Sequence, residues 1–437
     1  MHIRQEISKE KTYTLGIPDL LVLENEGDDD NFYTVHKRYF LKEKVKCPAC
    51  GSTKTRCSKV IKRTFKDVLY NSDGSFRTIN LFFYQRYLRC DGCRESVFPE
   101  EVGFAEKSCR YTNRLSDKLA EGTFTNSYQK VCDYYGVPAS TASVGAIMRR
   151  RVEQMERQFL PLKPPDVICI TEAAFHSNIY PIVFSLRGTE LHLIDILPDT
   201  SEESYLTYFR TLPLEKVNAI YMDPSEALKN AALQVLPNVN LVLSDECILR
   251  YANNSMRDII RTDGKWFPIN HKYDRLTTNN KFATDAYVRQ RINEGLEKRP
   301  RLKAAYQSHQ GLLKIMDERW SYDDVFAWTQ RIPEDLVEFS DVSTLIEYYE
   351  TEIRSFVEQY TKSPKGYILS VQNFYDALKD MPHCIYEVLR ARCMFTVRHD
   401  TIEENGETLR LGVPINTIIE KINKISCDIK EEREYGL

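Results

Sequence analysis

A chain of 437 residues is too long for one compact core, so roughly two to four domains are expected, and an apolar content of 42% is that of an ordinary globular protein. No run of about 18 apolar residues exists, and the start, Met1-His-Ile-Arg-Gln-Glu, lacks the apolar stretch of a signal peptide, so no membrane partner and a cytoplasmic location are expected. The net charge of −3 hides an asymmetry, because Lys37 to Lys66 carries eleven Lys or Arg against the single acid Glu43, while Glu334 to Glu358 and the tail are acidic.

Residues 1–40 read as a lead-in, with an extended apolar segment at Gly16-Ile-Pro-Asp-Leu-Leu-Val-Leu and an acidic turn at Glu26-Gly-Asp-Asp-Asp-Asn. The next segment, 41–108, holds two matched cysteine pairs, Cys47-Pro-Ala-Cys50 and Cys90-Asp-Gly-Cys93, separated by 39 residues. Each Cys-x-x-Cys turn aims two thiolates at one point, and four at this spacing make a tetrahedral zinc site. Between them Ile79, Leu81 and Phe83 alternate with Asn80, Phe82 and Tyr84, the period of a β-hairpin between Val60 and Leu88. The pattern is a zinc ribbon with structural Zn; the other reading is a redox pair or unrelated core cysteines. Of the twelve cysteines the remaining eight sit among apolar neighbours, as reduced core thiols would. Lys59, Lys62 and Arg63 belong to the basic stretch, which suits a polyanion.

Residues 109–160 carry a helical pattern from Asn113, and Ser127 to Arg151 has the layout of a helix-turn-helix, with the turn at Gly136-Val-Pro138 and a second helix capped by Ser140 and ending at Arg149-Arg-Arg151. Read as a DNA-binding domain, it turns Ser140, Thr141 and Ser143 to base edges and Arg149, Arg150 and Arg151 to phosphates. An ordinary helical hairpin is the bland alternative.

After the joint Leu160-Pro-Leu-Lys-Pro-Pro165 the texture becomes α/β over 166–247. Three consecutive strands are expected at Val167–Thr171, Tyr180–Leu186 and Glu190–Leu197. A helix follows at Glu202–Leu212, then a strand, Val217–Met222, ending at Asp223. A second helix, Pro224–Leu236, leads to a fifth strand, Val239–Leu243, ending at Asp245. That order is that of a ribonuclease-H-like core. Residues 248–360 read as almost wholly helical, an insertion or second helical domain, and 361–437 as a C-terminal helical part of the core and a tail. The fold class is therefore multidomain α+β. A strand-end aspartate such as Asp223 is also a common helix cap.

With ribbon, helix-turn-helix, ribonuclease-H-like strands and helical insertion in this order, the chain resembles the ISL-three family of bacterial insertion-sequence transposases. Tyr87-Leu-Arg-Cys90, Arg110-Tyr-Thr-Asn-Arg-Leu115 and Tyr221-Met-Asp223 carry the likeness. The resemblance implies a DDE core in which three carboxylates hold two divalent ions such as Mg²⁺. The first would fall at Thr171, beside Glu172, the second at Asp223, and the third at Leu369 within Lys365 to Asn373. Asp245-Glu-Cys-Ile248 stands where the family has Asp-x-Phe-His. With two of three acids replaced, the expectation is a transposase-derived, sequence-specific binder of double-stranded DNA that lacks strand transfer; the alternative is an active DDE transposase. A homodimer, other protein components of a mobile-element or regulatory assembly, and nucleoid association are expected with it.

Overall fold

The computed structural model describes residues 20–25, 32–37, 45–70, 75–93, 97–106, 109–138, 140–188, 190–212, 216–265, 267–279, 285–318, 321–359 and 367–435. The acidic turn read at 26–31 lies outside them, as do the side chains of Thr141 and Leu369, whose backbones begin or lie within described helices. The chain divides into two units: Met1–Gln158 with Cys384–Arg392 and Cys427–Leu437, and Phe159–His383 with Cys393–Ser426.

In the first unit, β1 (Leu20–Asn25), β2 (Phe32–Lys37), β3 (Thr55–Tyr70), β4 (Phe76–Cys90) and β5 (Val97–Pro99) make one sheet in the order β1-β2-β4-β3, with β5 also on β4. The lead-in is thus no separate piece, because β2 pairs with β4 in parallel at Phe32↔Asn80. The alternation along β4 buries Ile79, Leu81 and Phe83 against Phe65. Phe65, Phe83 and Phe104 meet edge to face with centroids 5.2–6.5 Å apart. The half of β3 nearest the cysteines, Thr55 to Thr64, is largely open on both faces, with Val60 53% exposed.

Three helices follow: α1 (Asn113–Thr123), α2 (Tyr128–Tyr134) and α3 (Thr141–Glu156). Thr112 caps α1 and also donates to the buried Asp67 of β3, which Arg114 pairs as well, so the helix is fastened to the sheet at its first residue. Between α2 and α3 the Val137 N–H reaches the Cys132 carbonyl and the Gly136 N–H that of Asp133, with Gly136 at φ 60°, a Schellman stop that needs glycine. α3 buries Val144, Ile147, Met148 and Val152 at helical spacing. It does not end at the arginines as expected; they are mid-helix, and the apolar stripe continues through Val152 before the stop at Glu156.

In the second unit β6 (Val167–Phe175), β7 (Asn178–Arg187) and β8 (Glu190–Ile196) are successive antiparallel neighbours, then α4 (Glu202–Phe209), β9 (Ala219–Met222), α5 (Glu226–Val235) and β10 (Asn240–Val242) follow. β9 lies parallel to β6, and β10 parallel to β9. The chain then runs through α6 (Asp245–Asp263), α7 (Lys272–Thr277), α8 (Ala286–Glu297), α9 (Pro300–Glu318), α10 (Tyr322–Thr329), α11 (Ser340–Tyr348) and α12 (Glu350–Gln359). These helices share one continuous apolar core with the strands, from Ile168 and Ile220 through Met256 and Leu312 to Ile353, so within this unit the insertion is not an independent body.

α13 (Tyr367–Asp380) and α14 (Tyr386–Phe395) come next, then β11 (Asp400–Glu404), β12 (Glu407–Pro414) and α15 (Ile415–Tyr435). The sheet order is β10-β9-β6-β7-β8-β12-β11, the first five being the ribonuclease-H-like arrangement. The C-terminal part was expected to be helical, but β11 and β12 form a hairpin on β8. Its turn, Asn405-Gly406 with φ of 52° and 80°, is of the mirror-image kind whose twist matches that of the strands. No helix among the described residues is long and apolar enough to cross a membrane.

Candidate functional site

Cys47 and Cys50 lie in the turn before β3, and Cys90 and Cys93 where β4 ends; the hairpin brings the two turns together, with the ligand atoms of all four within 4.8 Å of one another. Zn–S bonds of about 2.3 Å in a tetrahedron put sulfurs about 3.8 Å apart. Cys47 and Cys93 are 3.8 Å apart and Cys50 and Cys90 3.5 Å, so the donor set fits zinc. The N–H groups of Cys93 and Gly92 draw the Cys90 thiol down to about 7, toward the thiolate that a metal takes. Leu88 and Phe98 pack beneath the cluster.

Around this centre the cations of β3 find different surroundings. Lys59 lies over Tyr87 and Lys62 over Phe82, at 4.9 and 3.8 Å from the ring centroids. Arg63 reaches Gln85 and the Cys109 carbonyl. Arg63, Lys66, Arg110 and Tyr111 line a groove of about 650 Å³ that Pro138 of the α2–α3 turn completes. Lys66 and Arg110 are brought together because the N–H of Lys66 bonds to the Arg110 carbonyl; this long-range pairing is what reading the segments one at a time misses. At the start of α3 Ser140 is exposed and spends its hydroxyl on the N–H of Ser143. The arginines of α3 are not a free basic end: Arg149 pairs with Glu387, Arg151 approaches Asp117 and Glu121, and Arg150 points to the Cys109 sulfur.

In the second unit a cleft of about 590 Å³ opens where β6, β9 and β10 end, a usual ligand position in such sheets. Alternation along β6 decides who faces it. Ile168 and Ile170 go to the α4 and α5 side, Glu172 follows them to accept from the Tyr205 hydroxyl, and Thr171 turns into the cleft. Thr171 is 7% exposed and its buried hydroxyl lies beside that of Tyr375. Asp223 is 8% exposed. One of its oxygens accepts the Glu172 N–H at 2.8 Å, and the other is held by the Arg250 guanidinium. It caps no helix; Ser225 caps α5.

Other acids considered from sequence do not gather here. Asp195 bonds to the next N–H, Asp245 to that of Glu246, and Asp376 is exposed between Gln372 and Lys379. α13 turns Val371, Tyr375 and Lys379 into the cleft, none of them acidic. Sequence reasoning missed Arg250 and Glu246, although their positions on α6, after the Asp245 of the altered motif, were available signals. Burial, with Asp245 beside it, pushes the Glu246 carboxyl up to about 8, while Asp223 holds Arg250 firmly protonated against its own desolvation. Burial likewise raises Glu172 and puts Cys247 up at about 12.

The segment 168–367 matches the family model described as transposase, that of the ISL-three insertion sequences. The chain carries an ISL-three transposase domain. No curated protein matches it. The transposase match begins in β6 and ends at the first residue of α13, so it includes Thr171, Asp223 and the whole α6 to α12 run. Against the two divalent ions that such a core implies, the described residues do not fit. The four cysteines are the one cluster of three or more metal-ligating groups among them, and of the two acids that line the cleft Asp223 is already matched by a cation while burial raises Glu246.

Proposed function

We propose that this transposase-derived protein binds double-stranded DNA at a specific sequence and does not carry out strand transfer. The observation that carries the second half is the Arg250 guanidinium on Asp223: a metal would have to displace a fixed positive charge to reach a single buried carboxylate. For the first half, the zinc-held hairpin presents Lys59, Lys62 and Arg63, and the groove adds Lys66 and Arg110, as phosphate contacts. Ser140, Thr141 and Ser143 at the start of α3 would meet base edges. Because Arg149 and Arg151 already face acids of their own unit, they rank below the ribbon as phosphate ligands. A homodimer would match a pseudo-palindromic site, and other proteins of a mobile-element or regulatory assembly would be its partners; light scattering with and without DNA reads the stoichiometry.

The deciding experiment is a nicking and end-joining assay with purified protein, Mg²⁺ or Mn²⁺, and DNA spanning both flanks of its own locus. Retarded but uncut DNA is the expected result. Specific 3′-hydroxyl ends would make the protein a working transposase instead.

A further inference from the structure

The cleft that would collect divalent cations is lined by fixed cations. Along α6 the positions 246, 250, 253 and 257 repeat at three and four residues, which stacks Glu246, Arg250, Asn253 and Arg257 on the face that lines the cleft. Arg257 is exposed, and no hydrogen bond or ion pair engages it among the described residues. On α13, Tyr375 and Lys379 stand four apart on the same cleft; the Lys379 ammonium is 3.4 Å from Asp376, an exposed pair that leaves it hydrated and available. Opposing these three cations are Asp223, neutralised by Arg250, and Glu246, which burial keeps largely protonated at neutral pH. The buried Thr171 and Tyr375 hydroxyls lie beside one another in a cleft whose size suits a small polar ligand.

We propose that this cleft is an anion site, which takes a phosphate of a nucleic-acid strand between Arg257, Arg250 and Lys379, with the Thr171 and Tyr375 hydroxyls as further donors and no divalent cation. Guanidinium groups suit the task because their fixed fork matches two phosphate oxygens at once. Arg250 then has two roles, neutralising Asp223 with one nitrogen and offering the rest of its fork to the ligand. This rests on the reading of the protein as a nucleic-acid binder and says where, apart from the ribbon, a strand is held.

The test uses the full-length, zinc-loaded protein in magnesium-free buffer without chelator, since a chelator would strip the ribbon. The probe is a fluorescein-labelled oligodeoxynucleotide of three residues, followed by anisotropy. Affinity is expected to be the same, within about twofold, with and without Mg²⁺. Arg257→Glu is expected to weaken it about tenfold or more and Arg257→Lys to keep most of it, while one lost contact makes the salt slope shallower by about 0.7. Lys379→Glu should act in the same direction, and both side chains are exposed, so unchanged melting temperatures identify folded variants. Binding that requires Mg²⁺, or that ignores both charge reversals, overturns the anion site. Retention of a duplex by the ribbon, measured on the same variants, is expected throughout; if Arg257→Glu keeps the duplex and the trinucleotide alike, the anion site falls while the DNA-binding reading stands. Wild-type protein that retains no duplex defeats the DNA-binding reading itself.

Discussion

The four-cysteine cluster and the cleft around Asp223 are both places where a metal is expected, and they are built in opposite ways. In the first, four sulfurs converge with spacings that a zinc tetrahedron would give. In the second, an arginine stands against Asp223, and burial raises Glu246, the other acid of the lining. The difference lies in what surrounds each. The ribbon has only small apolar clusters, one around Phe65 and Phe83 and one around Leu88 and Phe98, too little to hold its turns without metal. The cleft is an edge of a core that runs from the strands through the helical insertion, so packing holds its walls without a metal.

The comparison breaks most visibly at the ribbon. Cys47→Ser or Cys90→Ser should abolish zinc binding and unfold β3 and β4 near the turns, while the second unit keeps its own melting transition; zinc content by atomic absorption together with calorimetry checks both. Next is Arg250→Ala, which leaves Asp223 buried beside an empty position. Since Arg250 is 44% exposed, the cost falls between the surface-pair and buried-pair limits, about 1–3 kcal/mol, and Asp223→Asn combined with Arg250→Met should recover most of it in a urea titration.

A third test is pH dependence. Glu246 is raised to about 8 in the folded protein, so between about pH 4.5 and 8 the folded form holds a proton that the unfolded form has released. Its contribution to stability therefore falls as pH rises through that window, and Glu246→Gln should flatten the profile. His309 has the opposite sign: burial lowers it to about 4, so stability falls as pH drops from about 6.5 toward 4, and His309→Gln should remove that loss. The smallest effect belongs to Arg149→Ala, whose pair with Glu387 is exposed on the arginine side and worth about 0.2–1 kcal/mol.

What could be read from sequence was local or periodic. The cysteine turns, the alternation of Ile79, Leu81 and Phe83, the cap at Ser140 and the five core strands all depend on neighbours within a few residues, and each is where it was expected. The hairpin at Asn405-Gly406 has a local signature too, an Asn-Gly pair between two strand-forming runs, which the helical pattern of the surrounding tail masks. Strand parity sets Glu172 and Thr171 on opposite faces of β6, and the Thr171 side chain does turn into the cleft while Glu172 turns to Tyr205. The Asp223–Arg250 pair was not legible, because 26 intervening residues place an exposed-looking arginine on a helix whose direction only the packed core decides.

One buried side chain constrains how the first unit can be made. Arg392 is 1% exposed and donates to the carbonyls of Thr123 and Asn126, in the link between α1 and α2. Those carbonyls lie more than 260 positions upstream, so during synthesis the link between α1 and α2 must wait for its buried partner until nearly the whole chain has been made. A prematurely terminated product, even one that retains the four clustered cysteines and all three helices, would lack this keystone and leave the link between α1 and α2 without its buried donor.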